Sequence, residues 1–246
     1  NYGARWVSKN NKTGLRFNRK MVKDGLQYLM DHCYFTFGNK VFRQTIGIPM
    51  GSDPAPFMAN LFLYYFESKW VKGLKKDNLQ IARRFANTFR FIDDLLTVND
   101  DNFFAKNYKD IYPPELQLNL ESTGDEVSFL DLHLSKVDRQ VDIKLFDKRD
   151  NFPFSIVRLP FSCSNIPTSM FYASVGAEVT RIGRICSNVN SFLMSGRQLV
   201  HRALKQGAKC NRLDKTLKKC FGRQQALTIF ASNAADFSKK LLDGNP

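Results

Sequence analysis

Apolar residues recur at helical spacing between Met21 and Cys33, at Val22, Leu26, Leu29, Met30 and Cys33, which predicts a helix. From Tyr34 to Ile48 the pattern turns β-like about Gly38-Asn39, a hairpin signal. Ser52 and Asp53 suit the cap of the next helix, Pro54 suits its first turn, and Phe57 to Leu74 is apolar enough to predict deep burial. Thr88 to Val98, TFRFIDDLLTV, reads as two short β-type runs meeting at Asp93 and Asp94, so a hairpin should present both carboxylates at its tip. After Pro113-Pro114, Leu116 to Leu120 alternates, and Val127 to Leu134 and Val141 to Phe146 are strand-like about a polar turn. Beyond Pro167 the period becomes helical over Phe171 to Met194, around Leu199 to Leu204, and over Leu213 to Phe221.

The expected class is α+β: helices mixed with antiparallel strands, then a helical C-terminal part. Pro153, Pro160 and Pro167 punctuate the chain, which places a boundary between Phe152 and Pro167 and gives parts of 1–155 and 156–246. With 246 residues and 43% apolar content the chain can bury a substantial core, which excludes a disordered tail or a peptide hormone. Lys and Arg number 37 against 23 acids, a formal charge of +14, so a polyanionic partner is expected and nucleic acid leads. Five scattered cysteines without a CxxC pair argue against a disulfide scaffold or zinc finger and fit a reducing compartment. No apolar run approaches the ~20 residues that span a bilayer, so no membrane partner is expected. The first residue is not Met, which leads to the expectation that a longer protein continues upstream.

Adjacent aspartates on a tight turn repel each other unless solvent or a cation offsets their charge. A pair fixed by a hairpin can hold divalent ions about 3.5 to 4 Å apart, where they stabilise the attacking and leaving oxygens of phosphoryl transfer. An exposed acidic tip is the plain alternative for such a pair alone. Upstream lies Gln44 to Leu63, QTIGIPMGSDPAPFMANLFL, a turn whose Gly47 and Gly51 keep backbone approachable to a ligand. Its plain alternative is a tight turn and cap.

Together these segments resemble the reverse transcriptase family, GIPMGSDPAPFMANLFL its motif B and FIDD, residues 91 to 94, its metal-binding motif C. FLDL, residues 129 to 132, IKLFDKRDNFPF, ending at Phe154, and RIGRICSN, residues 181 to 188, resemble the Penelope-like retroelement polymerases, relatives of telomerase. The resemblance covers most of the chain. It implies a polymerase palm, an antiparallel sheet backed by helices over 1–155, followed by a helical thumb over 156–246. It implies RNA-directed DNA synthesis with Asp93 and Asp94 as catalytic ligands of Mg²⁺, or Mn²⁺. Gln44, Gly47, Pro49, Met50, Gly51 and Phe91 would border the incoming nucleotide and template, and Phe129, Leu130 and Asp131 would grip the primer. Expected partners are an RNA template, a DNA primer, deoxynucleoside triphosphates and the upstream part of the same polymerase, within the cell and in its nucleus.

The family's metal site also needs an aspartate ending an earlier strand, in motif A, and none of Asp24, Asp31, Asp53 and Asp77 fits. Asp31 lies on the predicted helix and too near motif B. The chain is therefore expected to be a palm-and-thumb part lacking motif A and fingers, binding metal weakly by itself. Between Arg197 and Arg223 there are nine basic residues and one acid, so phosphate contact is expected from Arg197, Arg202, Lys205, Arg212, Lys215 and Lys219. On a helix Arg212, Lys215 and Lys219 share a face while Leu213, Leu217 and Phe221 turn inward. Two other functions compete: a nucleic-acid-binding module that keeps the fold without synthesis, and a basic structural protein of a nucleoprotein particle.

Overall fold

The side chain of Asn18 accepts a hydrogen bond from the Met21 amide at 2.8 Å and so starts helix α1, Arg19–Asp31. Residues 16–49, 51–154 and 156–243 are described by the computed structural model. Gly38, at φ 59°, supplies the left-handed turn between β1, Tyr34–Phe37, and β2, Lys40–Arg43, which pair antiparallel. Helix α2, Ala55–Asp77, ends where Asn78 takes over as cap of α3, Leu79–Arg84, accepting from the Gln80 and Ile81 amides. Three more strands pairs of short length follow this pattern of local closure: β3, Thr88–Phe91, with β4, Asp94–Thr97, and the meander β5, Glu126–Phe129, β6, Leu132–Val137, and β7, Gln140–Leu145. Helix α4, Phe103–Ile111, lies between the hairpin and the meander in sequence. The C-terminal helices are α5, Thr168–Ile185, α6, Val189–Lys205, α7, Cys210–Arg223, and α8, Ala234–Leu242. Helices and small antiparallel sheets are thus mixed, as the α+β expectation holds at that level.

The chain divides into two compact units, Asn1–Asn87 with Lys106–Leu116, and Thr88–Ala105 with Gln117–Pro246. In the first, Trp70 meets Phe85 edge to face at 4.9 Å and the Tyr112 hydroxyl donates to Glu67 at 2.7 Å. Deep burial of the Phe57 to Leu74 helix does not hold. Ala55 is the buried residue of α2, while Phe57 is 74% and Leu61 66% exposed. The cause is that α2 is apolar most of the way round, and the short elements of its own unit cover only part of it. Nor do Ser52 and Asp53 cap it: the helix starts behind Pro54, without a side-chain cap, because the Ser52 hydroxyl bonds the Pro49 carbonyl instead.

The second unit holds a core of fully buried residues, among them Phe171, Val175, Val179, Phe192, Leu213, Leu217 and Phe237. Phe192 stacks on Phe230 with centroids 4.0 Å apart. Gly183 on α5 lets the helix approach Leu227 so closely that a Cβ there would lie 2.3 Å from the leucine methyl. The helical run expected over Phe171 to Met194 breaks at Cys186-Ser187-Asn188. Asn188 caps α6 by accepting from the Ser191 amide, and its amide group donates to Asp142 at 2.6 Å. Ser187 and Ile143 exchange backbone hydrogen bonding as well, the Ser187 amide donating to the Ile143 carbonyl at 2.9 Å and the Ile143 amide to the Ser187 hydroxyl at 2.9 Å. Strand β7 is therefore pinned to the α5–α6 junction, and Leu145 packs on the helical core. The alternation of Leu116 to Leu120 yields no strand, since no ladder partner takes it up. All five cysteines are free, and among the described residues no helix is long and apolar enough to cross a membrane.

Candidate active site

The FIDD turn is the tightest available hairpin. Phe91 and Asp94 are register partners, which leaves Ile92 and Asp93 as the two-residue loop. Ile92 adopts φ 54°, in the left-handed region where a β-branched side chain is strained. The Arg90 guanidinium donates to the Ile92 carbonyl at 3.2 Å and holds the loop from below. Asp93 is exposed and Asp94 half-buried. Among the described residues no hydrogen bond or ion pair reaches either carboxylate. Because directly opposed residues of a ladder share a face, Asp94 stands beside Phe91, whose ring is 55% exposed.

These two acids are the expected metal ligands, and their chemistry suits a hard divalent cation. Among the described residues no group of three His, Cys, Asp or Glu side chains gathers to hold an ion, and the pair would supply two of the ligands that a closed site needs. The strain at Ile92 is not legible from composition, but the tight loop that imposes it is.

A second hairpin repeats the geometry. Phe129 and Leu132 are register partners, Leu130 and Asp131 form the loop, and Leu130 takes φ 56°. Here the acid is engaged: the Asp131 carboxylate meets the Arg181 guanidinium of α5 at 2.6 Å. Arg181 also bonds Glu178 at 3.0 Å, and Glu178 pairs with Arg158. Partial burial would lower the Arg181 pKa, but the bonds to Asp131 and Glu178 raise it. The Asp131 carbonyl accepts from the Phe146 amide at 2.8 Å, so the loop is tied to the end of β7.

In the first unit the Gln44 side chain donates to the Ile46 carbonyl at 3.0 Å and folds the turn that precedes Gly47. Gly47 at φ 87° and Gly51 at φ 89° occupy conformations that favour glycine, and both are exposed, while Pro49 is buried. Met50 lies outside the described residues. Gln44 to Gly51 belong to the first unit, and Asp93, Asp94, Phe129, Leu130 and Asp131 to the second.

The basic residues fall into two groups. Helix α7 buries Leu213 and Leu217 and leaves Arg212, Lys215 and Lys219 exposed on the other side, with Arg212 5.9 Å from the Tyr172 ring centroid. On α6, Arg197 donates to the Lys240 carbonyl at 2.9 Å and Arg202 bonds Asp147 at 3.1 Å, so each spends part of its hydrogen-bonding capacity inside the unit. Lys205 is exposed. Asp147 also pairs with Arg149; partial burial would raise its pKa, yet the arginine bonds hold it down at about 2. The sequence gives no site role to Arg149, Arg158 and Arg181, which stand outside the dense basic run; KRD and RIGR are the local signals of Arg149 and Arg181, and Arg158 has none. No protein-family model, curated protein or solved structure matches the chain.

Proposed function

We propose that this chain is the palm and thumb part of a retroelement RNA-directed DNA polymerase, acting in the nucleus. The observation that carries the reading is the pair of unpartnered carboxylates, Asp93 in a strained two-residue loop and Asp94 next to it at the start of β4, beside the exposed Phe91. A chain with a surplus of cations that leaves two adjacent acids unpaired keeps a local negative charge that a divalent cation would offset. Bound Mg²⁺ supplies charge neutralisation at the reacting phosphate. In the second unit Asp93 and Asp94 would offer oxygen ligands and Phe91 would present a face to the primer end; in the first, Gln44, Gly47, Pro49 and Gly51 are assigned to the nucleotide and template by the resemblance. Leu130 and Asp131 would steady the primer strand, and the α7 cations would take backbone phosphates. Phosphoryl transfer depends on placement and electrostatics, so no nucleophilic side chain is required.

Primer extension by a longer protein that contains this chain tests the reading. Asp93→Asn should reduce extension by more than about 100-fold, as loss of a transition-state-stabilising group does, with the unfolding midpoint unchanged. Wild-type extension by that variant contradicts it. The second reading, a binding module without synthesis, is favoured by one observation: no third ligand joins the acid pair among the described residues. It predicts primer-template binding that is indifferent to Mg²⁺ and to Asp93→Asn.

A further inference from the structure

The second unit carries a groove of about 730 Å³ between residues 147–154 and 156–161 on one side and the helices α5 and α6 on the other. Its walls combine two features that rarely coincide on a surface facing only water. The first is aromatic: Phe152, Phe154 and Phe161 line it with their rings 51%, 62% and 50% exposed. Phe152 and Phe154 lie 5.4 Å apart and tilted, so their faces are not spent on each other in a parallel stack. The second is cationic. Arg149, Arg158, Arg202 and Lys205 line the groove against two acids, Asp147 and Glu178.

Those acids do more than cancel charge. Asp147 holds Arg202 and Glu178 holds Arg158 at the groove wall, and the Arg158 guanidinium has five N–H donors, more than one carboxylate takes up. Lys205, exposed and without an ion pair among the described residues, adds a cation to the lining. Exposed phenyl rings and guanidinium groups in one groove offer both a stacking surface for bases and donors for phosphates, the two elements of single-strand binding. A duplex offers no unpaired base faces to such rings.

We propose that this groove holds a single nucleic-acid strand, its bases stacked on Phe152, Phe154 and Phe161 and its phosphates on Arg158, Arg202 and Lys205. The proposal rests on the nucleic-acid reading above and adds that this part of the molecule selects an unpaired strand. The α7 face, by contrast, presents Arg212, Lys215 and Lys219 with the Tyr172 ring already covered by Arg212, which suits contact with a paired backbone.

Fluorescence anisotropy on the whole chain tests this, with a labelled A-rich RNA strand about 12 nucleotides long and a blunt duplex of equal length. Phe152→Ala with Phe154→Ala should weaken single-strand binding by about tenfold or more and leave duplex binding within about twofold, because stacking acts only on unpaired bases. Replacement of both by Trp should restore it. Since the rings are half-exposed the fold should persist, and an unchanged thermal midpoint checks that; Phe161→Ala alone provides a second, milder variant with the same selective loss. The proposal is overturned if the wild-type chain binds no single strand, if the alanine variants bind it as the wild type does, or if strand and duplex binding fall together. Binding of polyglutamate as tight as that of RNA would also overturn it, marking a site for acidic protein. Selective strand binding by this chain, together with no primer extension by the longer protein that contains it, would leave this inference standing and count against the polymerase reading alone.

Discussion

Phe91 and Asp94 are register partners across the β3–β4 ladder, so an exposed ring and an unpartnered carboxylate rise from one face of the same hairpin. Their juxtaposition separates function from stability. Phe91→Ala removes a ring that is largely in water, so it should change unfolding free energy by less than about 1 kcal/mol. If Phe91 meets the primer end, the same variant lowers extension by about tenfold or more while leaving primer-template affinity near wild type. Denaturant unfolding and single-nucleotide incorporation read the two effects separately.

The α7 face gives a prediction about salt. Exchanging Lys215 and Lys219 for Glu should reduce duplex affinity at all sequences alike and flatten its dependence on salt, each lost phosphate contact lowering the slope of log K against log salt by about 0.9. Anisotropy titrations across a salt series measure the slope. A slope equal to wild type would remove these residues from the interface.

Asp147 links the helical unit to pH. Its carboxyl titrates at about 2 in the folded protein, below its usual 3.8, because Arg149 and Arg202 favour the charged form. A depressed carboxylate contributes stability that is present above the unfolded value and is lost as pH falls through the folded one. The contribution should therefore fade between pH 3.8 and about 2, and amount to on the order of 1 kcal/mol once solvent screening is allowed for. Asp147→Asn should be less stable than wild type at neutral pH, and the gap should narrow over that acid range in urea unfolding.

The helical core predicts two different costs. Leu217→Ala empties a fully buried position and should cost about 2–5 kcal/mol. Gly183→Ala instead adds a methyl where Leu227 already sits, and the resulting repacking should cost about 1–3 kcal/mol. Chemical denaturation distinguishes both from wild type.

Legibility in the sequence followed the distance over which each feature is decided. The FIDD hairpin was readable because its apolar runs and its acidic break are contiguous, and the inward turn of Leu213 and Leu217 because a helix repeats within a few residues. The exposure of Phe57 and Leu61 was not readable, since burial depends on what neighbours exist to cover a helix that is apolar on most sides. The break between α5 and α6 lacked a Pro or Gly; Asn188 was its one local signal, and its bond to Asp142 joins residues far apart in the chain. The sequence pattern ran one strand from Val127 to Leu134, yet the chain turns at Leu130-Asp131 into a hairpin like that of Asp93, and Arg181 on a distant helix engages Asp131 while no described residue engages Asp93. Opposite outcomes for two similar loops are set by tertiary contacts, which spacing does not encode.

The central claim is that Asp93 and Asp94 together hold a divalent cation, and paramagnetic broadening by Mn²⁺ on the isotope-labelled chain tests it most directly. The account predicts that substoichiometric Mn²⁺ selectively broadens the amide resonances from Phe91 to Leu95, and that Asp93→Asn combined with Asp94→Asn abolishes this while the rest of the spectrum is retained. Broadening that centres on other acids, or that persists unchanged in the double variant, would contradict it.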